Sequence, residues 1–371
     1  MMPTPEQIAG AASLRAAIRG STIVRYPEDY AEAESDLISR MNYEDAGTYQ
    51  LAGCRKRSVG SSKGRRCRYC EKTKPEASFR TEAHSIPESI GNRSLVSNDE
   101  CDRCNKLFSE TFEDHFDKFT APLRTILAVR GKTKVPSFKT HDGRSRIDCN
   151  PASLHFSILD TGPGKIVTQH ERESRFEIEM QCQPFVPLEV YRCLVKMELA
   201  IMPLPELRHF ESARRWVLDR DFRPRVRVET LAMAYLYWSE DAYQNPWAML
   251  VRRRDRSAPF PYMMFVLAMG SVLMQIALPF SGKDTHLLGK KIIVPSIDPV
   301  LGFHLRGCTK MLLRLHSREK KDDFKYGFVM VYASSNVIGT EDFGKPPPLG
   351  SPGGQQQIAF EGIRTSLIVP H

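Results

Sequence analysis

Four cysteines in two C-x-x-C pairs, Cys67 with Cys70 and Cys101 with Cys104, are the side chains in this sequence whose type and spacing point most directly to chemistry. Two such pairs, each on its own tight turn, supply the tetrahedral sulfur shell that structural Zn2+ takes. Four thiolates close that shell and leave no position for a reacting water, so the expected zinc is a staple and not a catalyst. The other five of the nine cysteines show no comparable pairing. Their odd total, with the C-x-x-C spacing, reads as metal binding in a reducing compartment and not as a disulfide framework. Between the pairs stands His84, just ahead of Ile86-Pro87, with Asn98 14 residues further on and Asn105 directly after Cys104.

These residues need elements to hold them. Residues 105–119 carry helical periodicity: Phe108, Phe112, Phe116 and Phe119 fall on one face and Glu110, Glu113, Asp114 and Asp117 on the other, with Pro122 expected to stop the helix. Just upstream, residues 51–80 hold ten basic side chains against two acids, which concentrates nearly all of the chain's net +9 in one stretch. The run 53–66, rich in Gly, Ser and basic residues, reads as a mobile cationic linker. Its Arg55, Lys56, Arg57, Lys63, Arg65 and Arg66, with Arg68 beyond it, are candidate phosphate contacts; the competing reading is a solvated linker without fixed contacts.

The rest of the 371 residues is long enough for a second domain. Residues 1–52 suggest short helices, and 123–146 a linker. From 147 to 371 strands alternate with helices: RFEIEM at 175–180, KIIV at 291–294 and GFVMVYA at 327–333 are strand candidates. Pro187 opens a helix with Val190, Leu194, Met197 and Ile201 as its apolar stripe, closed by Pro203, and a second helix is expected from Pro205 to about Asp219. TGPGK at 161–165 is a turn without the spacing of a phosphate loop, and GKPPPLGSPGGQQQ at 344–357 is a Pro/Gly/Gln loop. Ser257 to Gly282 has no charged side chain and is long enough to span a bilayer, yet Pro259, Pro261, Pro279, Gly270-Ser271 and Gln275 favour two buried strands, so no membrane partner is expected. The N-terminal residues carry no secretory pattern, which makes the cytoplasm the default expectation.

The run Ala83-His84-Ser85-Ile86-Pro87-Glu88-Ser89-Ile90-Gly91-Asn92, followed by Cys101-x-x-Cys104-Asn105-x-x-Phe108, resembles the HNH (ββα-metal) endonucleases, in the zinc-binding subgroup with A-H-x-I-P-E-S-x-G-N and C-x-x-C-N. The resemblance covers about 67–119. It implies a zinc-stapled ββα-metal module at 67–122, and with the strands and helices read after residue 147 the expected fold class is α+β, the module being followed by a larger mixed α+β domain. It further implies hydrolysis of nucleic-acid phosphodiester bonds, DNA in the first instance, with one divalent cation, Mg2+ or Mn2+, beside the scissile phosphate. By the same pattern His84 is the general base, for which an imidazole with an ordinary pKa of ~6.5 is suited. Asn98 would orient the histidine strand, and Asn105 would place its amide oxygen on the metal. One departure stands out: Ala83 occupies the position where many such sequences carry an acidic ligand. Glu82 is the substitute if the strand is bulged, with Glu110, Glu113 and His115 behind it.

Two other readings use the same residues. One is a zinc-containing protein that binds nucleic acid without cutting it, with His84 structural. The other is an interaction protein in which zinc only staples the fold. The larger domain is expected to sense or target, through an activator or a second copy of the chain, by analogy with two-part nucleases alone.

Overall fold

The computed structural model describes residues 43–371, apart from 54, 151–154, 162–164, 171–173, 223–230, 280, 289, 291, 293, 296–308, 332–333, 339–356, 362–363 and 369–371. The helices expected before residue 43, the TGPGK turn and nearly all of the Pro/Gly/Gln loop lie outside the described residues.

Four sheets organise the described chain. In the largest, the long β10 (Met233–Arg253) pairs along one side with β11 (Met263–Ala277). Its other side takes β1 (Tyr43–Gln50) at one end and β12 (Thr309–Arg314) at the other, all antiparallel. Residues 43–50 are therefore a strand of the large sheet and not part of a helical N-terminal region. The small sheet places β4 (Leu95–Ser97) between β2 (Arg57–Val59), which runs parallel to it, and β3 (Ala83–His84), which runs antiparallel. A third sheet joins β5 (Phe138–Lys139), β6 (Ser145–Asn150) and β7 (His155–Asp160) to β15 (Gln357–Glu361) and β14 (Ser334–Ile338). The fourth orders β16 (Arg364–Ile368), β13 (Lys325–Val331), β9 (Arg175–Gln181) and β8 (Val167–His170).

The uncharged stretch from Ser257 to Gly282 is one strand, β11, and not two. Its side chains alternate between two cores: Met263, Phe265, Leu267 and Met269 enter one, and Met264, Val266 and Ala268 the other. After Gly270 the parity reverses, so that Val272, Met274 and Ile276 join the first core. A strand buried on both faces reads as a continuous apolar run, which is why it looks like a membrane segment. Gly270, at φ +54°, takes the left-handed conformation that the bulge requires, and a Cβ there would lie 3.1 Å from Leu127. Among the described residues no helix is long and apolar enough to cross a membrane. The strand expected at 291–294 is not formed at its described residues, Ile292 and Val294.

Helix α1 (Asp102–Phe108) continues through a π turn (Ser109–Glu113) into α2 (Asp114–Ile126). The four phenylalanines of the expected stripe are all buried. Pro122 does not end this helix, because it sits in a buried last turn with Leu123 and Ile126. Burial of those side chains offsets the one backbone hydrogen bond that proline removes. Helix α3 (Pro187–Ile201) starts at its proline as expected, but every one of its residues is buried, including Glu189, Arg192, Lys196 and Glu198. The second helix is divided: a turn at Leu204–Leu207 and a tighter one at Arg208–Phe210 precede α4 (Glu211–Leu218). One apolar core runs from Leu51 and the cysteine cluster through α3 to Met330, so the module and the larger α+β part share their interior.

Candidate functional site

The two cysteine pairs converge. Cys67 and Cys70 lie on a turn closed by the bond from Glu71 N to Cys67 O, 2.8 Å, with Cys67 N donating to Lys72 O at 2.9 Å. Cys101 is the residue just before α1, and Cys104 lies in its first turn. The Cys67 and Cys104 sulfurs are 3.8 Å apart, those of Cys70 and Cys101 3.7 Å, and all four lie within 4.8 Å of one another. A zinc tetrahedron with bonds of ~2.3 Å has edges of about 3.8 Å, so the spacing and the donor chemistry fit a structural zinc. The hydrogen bond shared with Cys104 lowers the Cys67 pKa, while burial raises that of Cys101.

The basic segment divides once its surroundings are known. It is not a free linker, since Arg57–Val59 is a strand hydrogen-bonded to β4. Gly60 follows at φ +81°, where a Cβ would fall 2.2 Å from the Asp99 carboxyl carbon, so only glycine brings the chain this close. Asp99 in turn takes both arms of Arg68, at 2.7 and 2.9 Å. Arg68 is buried, and it also donates to the carbonyls of Leu199, Ala200 and Met202 at the end of α3. It is a bolt between module and α3, which removes it from the candidate phosphate contacts. Lys56 pairs with Glu82 at 2.6 Å, Arg66 approaches Glu71 at 3.5 Å, and Arg65 donates to Phe79 O while covering its ring. Arg55, Arg57 and Lys63 are exposed and make no ion pair among the described residues.

His84 sits on β3, the edge strand, with Val96 opposite it. Its Nε2 lies 3.7 Å from Glu88, and its Nδ1 is shielded from solvent with no hydrogen-bond partner among the described residues. Burial is the largest influence on the ring and holds its pKa below the ordinary value, against the pull of Glu88 and Glu82. Its carbonyl accepts a hydrogen bond at 3.3 Å from Lys196, which reaches in from α3.

The bonds across the hairpin that sequence reasoning gave to Asn98 are made by Asn92. The buried Asn92 amide donates to Ile86 O at 2.6 Å and Leu95 O at 2.8 Å, and its oxygen accepts from Leu95 N at 2.9 Å. Asn98 bonds instead to the β2 turn, through Val59 O and Gly60 O. A glycine-asparagine pair between two apolar runs, Gly91-Asn92, was the available signal for a hairpin clamp. A second unforeseen residue is Asp102, whose carboxylate accepts from Arg80 N at 2.9 Å and Thr81 N at 2.9 Å and so ties the approach to β3 to the start of α1.

Among the described residues, donors for a second, catalytic cation do not assemble. Ala83 is buried and offers a methyl group, Glu82 is turned to Lys56, and the half-buried Asn105 side chain makes no hydrogen bond within the described residues. Glu110 is exposed and paired with Lys106, and His115 accepts from Val186 N. Among the described residues, only the four cysteines form a group of three or more His, Cys, Asp or Glu able to hold a metal.

A ββ pair, a following helix and a sulfur cluster that joins them are the parts of an HNH (ββα-metal) module. Residues 67–120 match the family model described as HNH endonuclease. That match covers the module alone. No curated protein and no solved structure matches the chain.

Proposed function

We propose that this is a nucleic-acid-binding protein built on a zinc-stapled HNH-type module, with duplex DNA as its first ligand to test. The observation that carries this reading is the set of exposed cations Arg55, Arg57 and Lys63, free of ion pairs among the described residues, on and beside a strand of that module. Cations without internal partners are available to phosphates, and releasing condensed counterions from the backbone is the main sequence-independent source of affinity. Zinc serves the fold here, since four sulfurs complete its shell.

A second reading, phosphodiester hydrolysis, is favoured by one observation: the His84 imidazole stands on the edge strand of a module that matches the HNH endonucleases. Against it stand the solvent-shielded Nδ1 and the absence of an acidic neighbour at Ala83. The experiment that separates the readings first measures DNA binding, then incubates supercoiled plasmid with Mg2+ or Mn2+ and compares the wild type with His84→Ala. Binding without strand breaks supports the first reading. Breaks that disappear in His84→Ala establish the second, and absence of salt-dependent binding overturns the first.

A further inference from the structure

Lys196 is a fully buried lysine, a costly group to keep inside a protein unless oxygens surround it. Three do. Its ammonium lies 3.3 Å from the His84 carbonyl, 3.2 Å from Glu113 and 3.6 Å from Glu100, and 5.6 Å from the centre of the Phe108 ring. These partners come from three separate pieces of the module: the edge strand, the π turn of the long helix, and the residue before Cys101. The lysine comes from the other part of the chain, in the middle of α3. Its own carbonyl accepts from Tyr69 in the zinc turn at 3.1 Å.

The strand that carries His84 is two residues long and is paired on one side only. Backbone groups on the open side of a buried edge need a donor from elsewhere. Asn92 fixes the far end of the hairpin, at Ile86 and Leu95, but no module side chain reaches the His84 carbonyl among the described residues. We infer that Lys196 is a positioning residue, by which the larger domain sets the place of His84 relative to the long helix. The HNH-type centre is then completed by α3, and a change in α3 reaches His84 through one side chain. This inference concerns the same centre as the reading above, but it holds whether that centre binds or cuts.

Hydrogen exchange in the zinc-loaded full chain tests it without reference to catalysis. In Lys196→Met, amides of the 83–97 hairpin exchange about tenfold faster or more, as expected for loss of a charge-assisted hydrogen bond, while those of α1 keep their protection and zinc stays bound. Lys196→Arg restores protection, because a guanidinium still donates to the carbonyl and Glu113. Glu113→Gln keeps the ammonium and removes one anchor, so it gives a smaller rise at the same amides if Lys196→Met does not fold. Unchanged exchange at 83–97 in Lys196→Met, or in Glu113→Gln where the first variant fails to fold, overturns the inference. So does a rise spread evenly over the chain. The plasmid experiment fails or succeeds independently of this one.

Discussion

The cysteine cluster and the strand that carries His84 belong to one small ββα unit, and they are held in opposite ways. The four sulfurs meet one another directly, from the Cys67–Cys70 turn and the start of α1, and one cation would satisfy them all. His84 has no such closure: its ring lacks an acidic neighbour on the strand, its hairpin is clamped by Asn92, and its carbonyl is held by a lysine 112 residues away. A site made of ligands for one ion is self-contained. A site made of an edge strand borrows its geometry from whatever packs against it.

The contrast is broken most directly at the sulfurs. Cys67→Ser is expected to lose stoichiometric zinc and cooperative unfolding of the module, because metal binding supplies the folding energy of such small units. Metal analysis with circular dichroism checks this, and full zinc with an unchanged fold would show that the cluster is not self-contained. Arg68→Met is expected to follow, at about 3–5 kcal/mol in denaturant unfolding, since it strands Asp99 as a buried unpaired carboxylate. Asn92→Ala is expected to cost about 2–3 kcal/mol through its lost buried hydrogen bonds, and Asn98→Ala under about 1 kcal/mol. Equal costs for the two asparagines would dissolve the distinction drawn between them.

A smaller effect sharpens the picture of α3. Burial raises the Glu198 pKa well above its ordinary value, and both carboxyl oxygens lack a hydrogen-bond partner among the described residues. A raised folded pKa means that stability is full below the unfolded value of about 4.3 and falls as pH rises above it. Glu198→Gln is therefore expected to be more stable than the wild type near neutral pH, with the gain shrinking to nothing below about pH 4. Thermal unfolding across that range checks the sign.

What was legible in the sequence follows the same division. The cysteine spacing, the phenylalanine stripe and the strand at 175–180 are local patterns that stand as read, and the strand expected at 327–333 is formed over its described residues to Val331. The long-range facts were hidden. Arg68 looks like one more cation of a basic run, and only the approach of Asp99 and the α3 carbonyls makes it a bolt. Helix α3 shows an apolar stripe, yet charged Arg192, Lys196 and Glu198 are also enclosed, because partners from other parts of the chain surround all its faces. The bilayer-length run at Ser257 to Gly282 is explained only by two cores on the two faces of one strand. Asn92 and Asn98 both stand within the motif region, and the hairpin register that selects Asn92 as the clamp is a matter of tertiary contact.

The measurement closest to the central claim is the affinity of the zinc-loaded full chain for a DNA duplex as a function of salt, for the wild type and for a variant with Arg55, Arg57 and Lys63 replaced by Ser. The account predicts that log K of the wild type falls linearly with log salt, and that the variant binds more weakly with a slope reduced by about one for each phosphate contact removed. An affinity that ignores salt, or a variant whose slope equals that of the wild type, would contradict it.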